Sequence, residues 1–191
     1  MKKYVLLSLC LVLLLALGSC GSSRSENNGN EADMQEFPSF TGLDLDGNSV
    51  NSDIFSENSV TVVNFWFSSC SPCIGELSEL DSLNQELKEK GGAVIGINTD
   101  TLNGDNSMIE EAKKILMQQK ASYRNLYFDS NSGDAMDFAN SITSFPTTYL
   151  VDRGGYIIGD PVVGSIDDES TMKMLKKRID KIIEDDKDVP Y

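Results

Sequence analysis

Residues 60–67 read Val-Thr-Val-Val-Asn-Phe-Trp-Phe, an almost unbroken apolar and β-branched run. Such a run is the signature of a strand buried on both faces. Three residues later comes Cys70-Ser71-Pro72-Cys73, and then Leu77, Leu80, Leu83 and Leu87 at helical spacing up to Gly91-Gly92, a helix stop. A central strand running through a cysteine pair into an amphipathic helix leaves few folds open. The strand needs neighbours on both edges and helices over both faces, which means an α/β domain with a parallel or mixed sheet.

The remaining pattern fills in that sheet. Phe40 to Leu43 and Ser49-Val50 flank Asp46-Gly47-Asn48, a turn signal, and predict an N-terminal β-hairpin. Ala93 to Asn98 is a second buried strand. Ile109, Ala112, Ile115 and Leu116 predict a helix capped near Asn106 or Ser107. Leu126 to Phe128 reads as a short strand and Ala135 to Asn140 as a short helix. Thr147 to Val151 and Tyr156 to Ile158, around Asp152-Arg153-Gly154-Gly155, predict a hairpin, and Met172, Leu175, Ile179 and Ile182 line a last helix. The expectation is a mixed central β-sheet with helices on both faces and an N-terminal β-hairpin extension. No internal repeat is visible.

The first residues belong to targeting, not to this fold. Lys2 and Lys3 precede an apolar stretch from Tyr4 to Leu17 that is too short for a comfortable membrane span and suited to a signal peptide. It ends Leu17-Gly18-Ser19-Cys20, which looks like a bacterial lipobox with Cys20 as the lipidated mature N-terminus. The competing reading is an ordinary signal peptide with a chance cysteine. The expected organisation is a lipoprotein signal peptide over residues 1–19, a lipidated flexible tether over 20–36, a folded domain over 37–185 and an acidic tail over 186–191. Diacylation plus an amide-linked chain would suffice for stable anchoring, so the expected place is the extracytoplasmic cell envelope, on the periplasmic side of a membrane.

Composition then removes whole classes of chemistry. Thirty acidic against sixteen basic side chains give a formal net charge of -14. A polyanion of this kind is repelled by phosphate backbones, so nucleic acid is not an expected partner. The chain has no histidine, which excludes Ser-His-Asp and Cys-His catalysis and His-ligated zinc. With Cys10 in the signal peptide and Cys20 carrying lipid, Cys70 and Cys73 are the thiols left to an exported domain.

Their position suggests what they do. Cys70 should lie at or near the helix N-cap, with Pro72 in the first turn where a missing N–H costs little. There a thiolate meets unpaired N–H groups and the positive end of the helix dipole, which lowers its pKa. Cys73, about a turn further in, can attack a mixed disulfide formed by the first cysteine. A purely structural bridge is the blander alternative, but one closing so short a loop removes little entropy from the unfolded chain. Two thiolates without further ligands do not complete a zinc site, so no metal and no cofactor beyond a Cys70–Cys73 redox disulfide is expected.

Phe65-Trp66 before the cysteines, the CSPC sequence, Glu76 after them and Phe145-Pro146-Thr147-Thr148-Tyr149-Leu150-Val151-Asp152 with its Gly-Gly turn resemble the TlpA/ResA-like branch of the thioredoxin superfamily. Phe37-Pro38-Ser39-Phe40 and Asp44 to Val50 are similar to that branch's N-terminal extension. The resemblance implies a thioredoxin-like fold over residues 37–185 and an extracytoplasmic protein-disulfide reductase. Its partners would be disulfide-containing exported proteins, apocytochrome c among them, with a membrane thiol reductant as electron donor. It also implies a cis bond at Pro146, lying against the cysteine pair, and a substrate-facing surface that includes Phe145, Pro72 and Ser69. Ser69 departs from the branch, which usually has Trp there. Asn64 stands where thioredoxins proper place a buried acid, and the resemblance assigns that acid's proton-handling role to Glu76; a solvated surface glutamate is the competing reading. Trp66 reads as core. Two other functions compete: a peroxiredoxin-like thiol peroxidase, although Trp66 to Cys70 lacks the Pro-x-x-x-Thr-x-x-Cys setting, and a non-catalytic docking module.

Overall fold

A computed structural model of the chain describes residues 35–102 and 104–187. The expected signal peptide, Cys20, all but the last two residues of the tether, and residues 188–191 of the expected tail lie outside the described residues.

The domain is built on one seven-stranded mixed sheet of order β2-β1-β5-β4-β3-β6-β7. Its strands are β1 (Thr41–Asp44), β2 (Ser49–Asn51), β3 (Val60–Trp66), β4 (Gly92–Asn98), β5 (Arg124–Phe128), β6 (Thr147–Asp152) and β7 (Val162–Val163). Among the described residues four α-helices accompany them: α1 (Ser71–Lys88), α2 (Asn106–Gln118), α3 (Gly133–Ser141) and α4 (Glu169–Asp186). The three central strands β3, β4 and β5 are parallel. β6 runs antiparallel to β3, and the β1–β2 hairpin adds antiparallel to β5. This is the thioredoxin-like arrangement that the resemblance implied, with the hairpin as an extension of the sheet.

The period-2 alternation of the strands sorts their side chains between two cores. Val60, Val62 and Trp66 pack with Leu77, Leu80, Leu83 and Leu87 of α1, with α2, and with Leu175, Ile179 and Ile182 of α4. Val63, Phe65, Ile95 and Ile97 face the other way, onto Phe37, Phe40, Phe55 and the α3 side chains Ala135 and Ala139. Every residue of β3 is buried, which is why its sequence shows no polar face. The four leucines of α1 are each at most 2% exposed. Burial of each contributes roughly 1.5–3 kcal/mol, so α1 is held to the sheet by its core face, not by the charges on its outer one.

Local departures from expectation have identifiable causes. A 3-10 turn over Ser52–Glu57, absent from the periodicity reading, is capped by the Asn51 side chain, which accepts from the Asp53 N–H, and it buries Ile54 and Phe55. Six residues are too few to display a helical period. The N-cap of α2 is Asp105, one residue before the expected positions, with its carboxylate accepting from the N–H groups of Ser107 and Met108. The predicted hairpin after β6 forms: the Asp152 N–H donates to the Tyr156 carbonyl at 3.0 Å and the Ile158 N–H to the Leu150 carbonyl at 2.8 Å. Its second arm is short: Ile157 bridges Val151 and Tyr156 bridges Glu36, and the edge pairing with β6 resumes at Val162–Val163. Gly159, at φ 68°, and Pro161, which has no N–H to donate, interrupt the ladder between them.

Candidate active site

β3 delivers the chain to the site, and a polar network fixes the loop that follows. The Ser68 N–H donates to the Asp100 carboxylate at 2.8 Å, and the Asn98 side-chain amide donates to the Ser68 hydroxyl at 3.2 Å. Asn98 ends β4, the strand beside β3, so the two parallel strands brace the loop from their carboxyl ends. Cys70 is the N-cap of α1, and its Sγ accepts from the Cys73 N–H at 3.2 Å. A side-chain acceptor is what the orphan donors of a first helical turn require, and here the acceptor is a sulfur. Pro72 occupies the first turn. Cys70 and Cys73 are joined in a disulfide of S–S 2.02 Å. Ser69, Ser71 and Pro72 are exposed around it. Cys70 keeps 6% of its surface while Cys73 keeps none, so what exposure the pair has lies on Cys70.

A second loop meets the first. The Phe145–Pro146 bond is cis, as the resemblance implied. The β3–β6 register ends with Phe65 opposite Thr147; carried on, it sets Pro146 against Trp66 and Phe145 against Phe67. The Phe67 and Phe145 rings do meet edge-on, with centroids 5.1 Å apart. Both are half-buried, and Phe145 packs against the cluster that contains Cys70 and Cys73. Pro146 itself is buried, and its carbonyl accepts from the Gly164 N–H at 2.9 Å, which ties the loop to β7.

Under the cysteines lies Glu76, one helical turn beyond Cys73 and fully buried. Its exclusion from solvent removes the surface-glutamate reading. One carboxylate oxygen accepts from the Asn64 side-chain amide at 2.9 Å; the other accepts from the Ile166 N–H at 2.7 Å and the Ser165 hydroxyl at 3.2 Å. The same Asn64 amide group donates to the Thr148 hydroxyl at 3.0 Å. Burial holds the Glu76 carboxyl above its ordinary value; the hydrogen bonds from Ile166, Asn64 and Ser165 oppose that shift without cancelling it. Asn64 and Glu76 thus converge on one buried locus, the strand supplying an amide and the helix the acid.

Trp66 is fully buried, as expected of a core residue, and its indole N–H donates to the Asn125 side chain at 2.8 Å. Asn125 fits because position 96 is glycine: a Cβ there would stand 2.0 Å from the Asn125 oxygen.

Several site residues carried no sequence signal. Asn98 and Asp100 look like a strand end and a turn. Thr148 lies 84 residues from Asn64, and Ser165 lies 89 from Glu76; only the fold brings these pairs together. Among the described residues, no group of three or more His, Cys, Asp or Glu could hold a metal ion. A groove of about 750 Å³, lined by Asp44, Lys88, Lys113 and Arg124 among others, includes none of the cysteine-site residues.

Residues 34–159 match the AhpC/TSA family. The chain belongs to the AhpC/TSA family. It is similar to curated proteins named thiol-disulfide oxidoreductase ResA. That of Bacillus thuringiensis subsp. konkukian is 25% identical over 188 residues, covering 95% of this chain and 99% of that protein. One from Bacillus cereus is 27% identical over 186 residues, with the same coverage of both. Among solved structures, the thioredoxin domain of a thiol-disulfide oxidoreductase from Bacteroides vulgatus is 27% identical with a TM-score of 0.59, covering 76% of this chain and 96% of that one. A thiol:disulfide interchange protein from Bacteroides sp. is 26% identical with the same TM-score, covering 77% and 90%.

Proposed function

We propose that this AhpC/TSA-family chain is a membrane-anchored thiol–disulfide oxidoreductase that reduces protein disulfides outside the cytoplasm. The oxidoreductase activity is the coarser part of this reading, and it rests on relatives and fold neighbours that are named for it. The observation that carries the chemistry is the asymmetry of the pair: a cysteine with some exposure caps a helix, and a fully buried one stands a turn above a buried carboxyl.

In the proposed cycle the Cys70 thiolate attacks one sulfur of a substrate disulfide. A Cys70–substrate bond forms, the substrate S–S bond breaks, and the first substrate thiolate leaves and takes up a proton. The N-terminal N–H groups of α1 favour the thiolate. The Cys73 thiol gives its proton to the Glu76 carboxylate, and the resulting thiolate attacks Cys70 Sγ. The second substrate sulfur departs as a thiolate and takes up a proton, and Cys70–Cys73 is left as the disulfide seen in the structure. Two electrons pass from the dithiol to the substrate. Ser69, Pro72 and Phe145 form the surface proposed to meet the substrate, with Pro146 beneath it. A membrane thiol reductant would return the pair to the dithiol, and Cys20 would hold the domain at the membrane through lipid.

The test is insulin reduction beside peroxide consumption, with Cys20→Ala fractionated in parallel. The reading expects insulin turnover, negligible peroxide consumption, and release of the Cys20→Ala protein from membranes or a block in its processing. Peroxide turnover without insulin turnover would favour the peroxidase, and inactivity in both a docking module. Full membrane retention of processed Cys20→Ala would remove the anchor.

A further inference from the structure

Glu76 is fully buried, so a proton it takes from Cys73 reaches solvent only through one of its hydrogen-bond partners. Its hydrogen-bond partners differ sharply in what they can carry. The Asn64 amide and the Ile166 N–H donate to it, but neither releases a proton at accessible pH. The Ser165 hydroxyl can accept one proton as it gives up another. It donates to Glu76 Oε2 at 3.2 Å and is half-buried, on the loop that follows β7. Its oxygen also accepts a weak bond from the N–H of exposed Asp167 at 3.4 Å.

We propose that Ser165 is the proton outlet of the buried carboxyl, linking Glu76 to solvent during each exchange. This rests on the reading of Glu76 as acceptor of the Cys73 proton. The step balances simply. As Glu76 takes up the Cys73 proton, Ser165 Oγ receives a proton from the carboxyl and gives its own O–H proton to water in the same relay, so the carboxylate and the hydroxyl are both regenerated and no electron moves. Ser165 touches neither thiol and is therefore a positioning residue that acts through Glu76. The titratable groups around Glu76 are Cys73 on its own helix, Asp167 on the Ser165 loop, whose charge disfavours ionisation of Glu76, and Tyr123 just before β5. Tyr123 is held neutral, by burial first and by the Glu76 charge second, and its side chain is buried away from solvent. It offers no competing exit. Thr148 bonds to Asn64 and not to Glu76.

The experiment compares Ser165→Thr with Ser165→Val, side chains of one shape that differ by a hydroxyl, so any cost of a branched residue in the loop is shared. Reduced full-length protein is mixed with 5,5′-dithiobis(2-nitrobenzoate) by stopped flow. The second release of nitrothiobenzoate reports attack of Cys73 on loaded Cys70, and its leaving thiolate takes no proton. At neutral pH the valine variant should resolve at least about tenfold more slowly than the threonine variant, within the span of general acid–base effects. Threonine should match wild type, and the gap should close as pH passes the ordinary thiol value of about 8.5. Glu76→Gln is run alongside. If it is slow while valine and threonine are equal at every pH, the outlet is overturned and the role of Glu76 stands. If Glu76→Gln resolves at the wild-type rate, the reading of Glu76 fails first and the outlet fails with it.

Discussion

Replacing Glu76 by glutamine should remove a pH dependence of stability that the buried carboxyl imposes. The glutamine would keep the volume and one carbonyl oxygen for the Ile166 N–H and the Ser165 hydroxyl. Its amide would face Asn64, whose own side-chain oxygen is buried without a partner; a turn of the Asn64 amide offers that oxygen as acceptor. The neutral variant is thus accommodated, and the charge is what changes. Burial, the dominant influence, raises the folded carboxyl above its ordinary value of 4.5. Below that value Glu76 is protonated in both the folded and the unfolded chain. As pH rises, the unfolded chain ionises first while the folded one holds its proton, so the folded state loses stability. The loss ends once pH exceeds the raised value. One proton sets the limit of the slope at about 1.4 kcal/mol per pH unit. Asp44 and Asp81 sit below their ordinary value because hydrogen bonds outweigh their burial, and they push stability the other way. Both are common to the two proteins, so the difference curve cancels them. Urea unfolding of the oxidised proteins from pH 4 to pH 8 should show the advantage of Glu76→Gln growing with pH and then levelling off. Parallel curves, or an advantage that shrinks as pH rises, would refute the buried-acid argument.

Two further outcomes follow from the same geometry. Iodoacetamide should alkylate Cys70 of the reduced protein first, with a midpoint below the free-thiol value of about 8.5, and should leave Cys73 largely unmodified; peptide mapping against pH shows the order, and a faster Cys73 would reverse the two roles. Trp66→Phe should cost roughly 1–3 kcal/mol in urea unfolding, because it leaves the buried Asn125 oxygen without its donor. Its insulin turnover should stay near wild type, since Trp66 packs in the core and the proposed chemistry does not use it.

What was legible in the sequence was what repeats locally or is strongly patterned. The all-buried β3, the leucine face of α1 and the turn between β1 and β2 each announce themselves by period or by turn residues, and the CSPC sequence sits at the one junction they define. The hairpin after β6 was legible but its continuation into β7 was not, since only Tyr156 to Ile158 is an apolar run of strand character. That run pairs with β6 at only one bridge before Gly159 and Pro161 end it. The environment of Glu76 was legible only in part, through the place that Asn64 takes. Its neighbours Asn64, Ser165 and Ile166 come from a strand and from a loop 90 residues away in sequence, and nothing local marks a serine in such a loop as a partner. The bracing of Ser68 by Asn98 and Asp100 is hidden for the same reason, because it depends on β3 and β4 lying side by side.

The central claim is that Cys70 attacks and Cys73 releases. Cys73→Ser keeps the nucleophile, the helix cap and the surface around Pro146, and removes the group that frees the product. In cells this variant should accumulate covalent adducts visible on non-reducing gels and dissolved by reductant, with mass spectrometry naming the trapped proteins. Cys70→Ser should trap little, because the remaining thiol is fully buried. Reductant-sensitive adducts on Cys73→Ser alone are the predicted result. A folded, exported Cys73→Ser protein without adducts, or equal trapping by both variants, would contradict it.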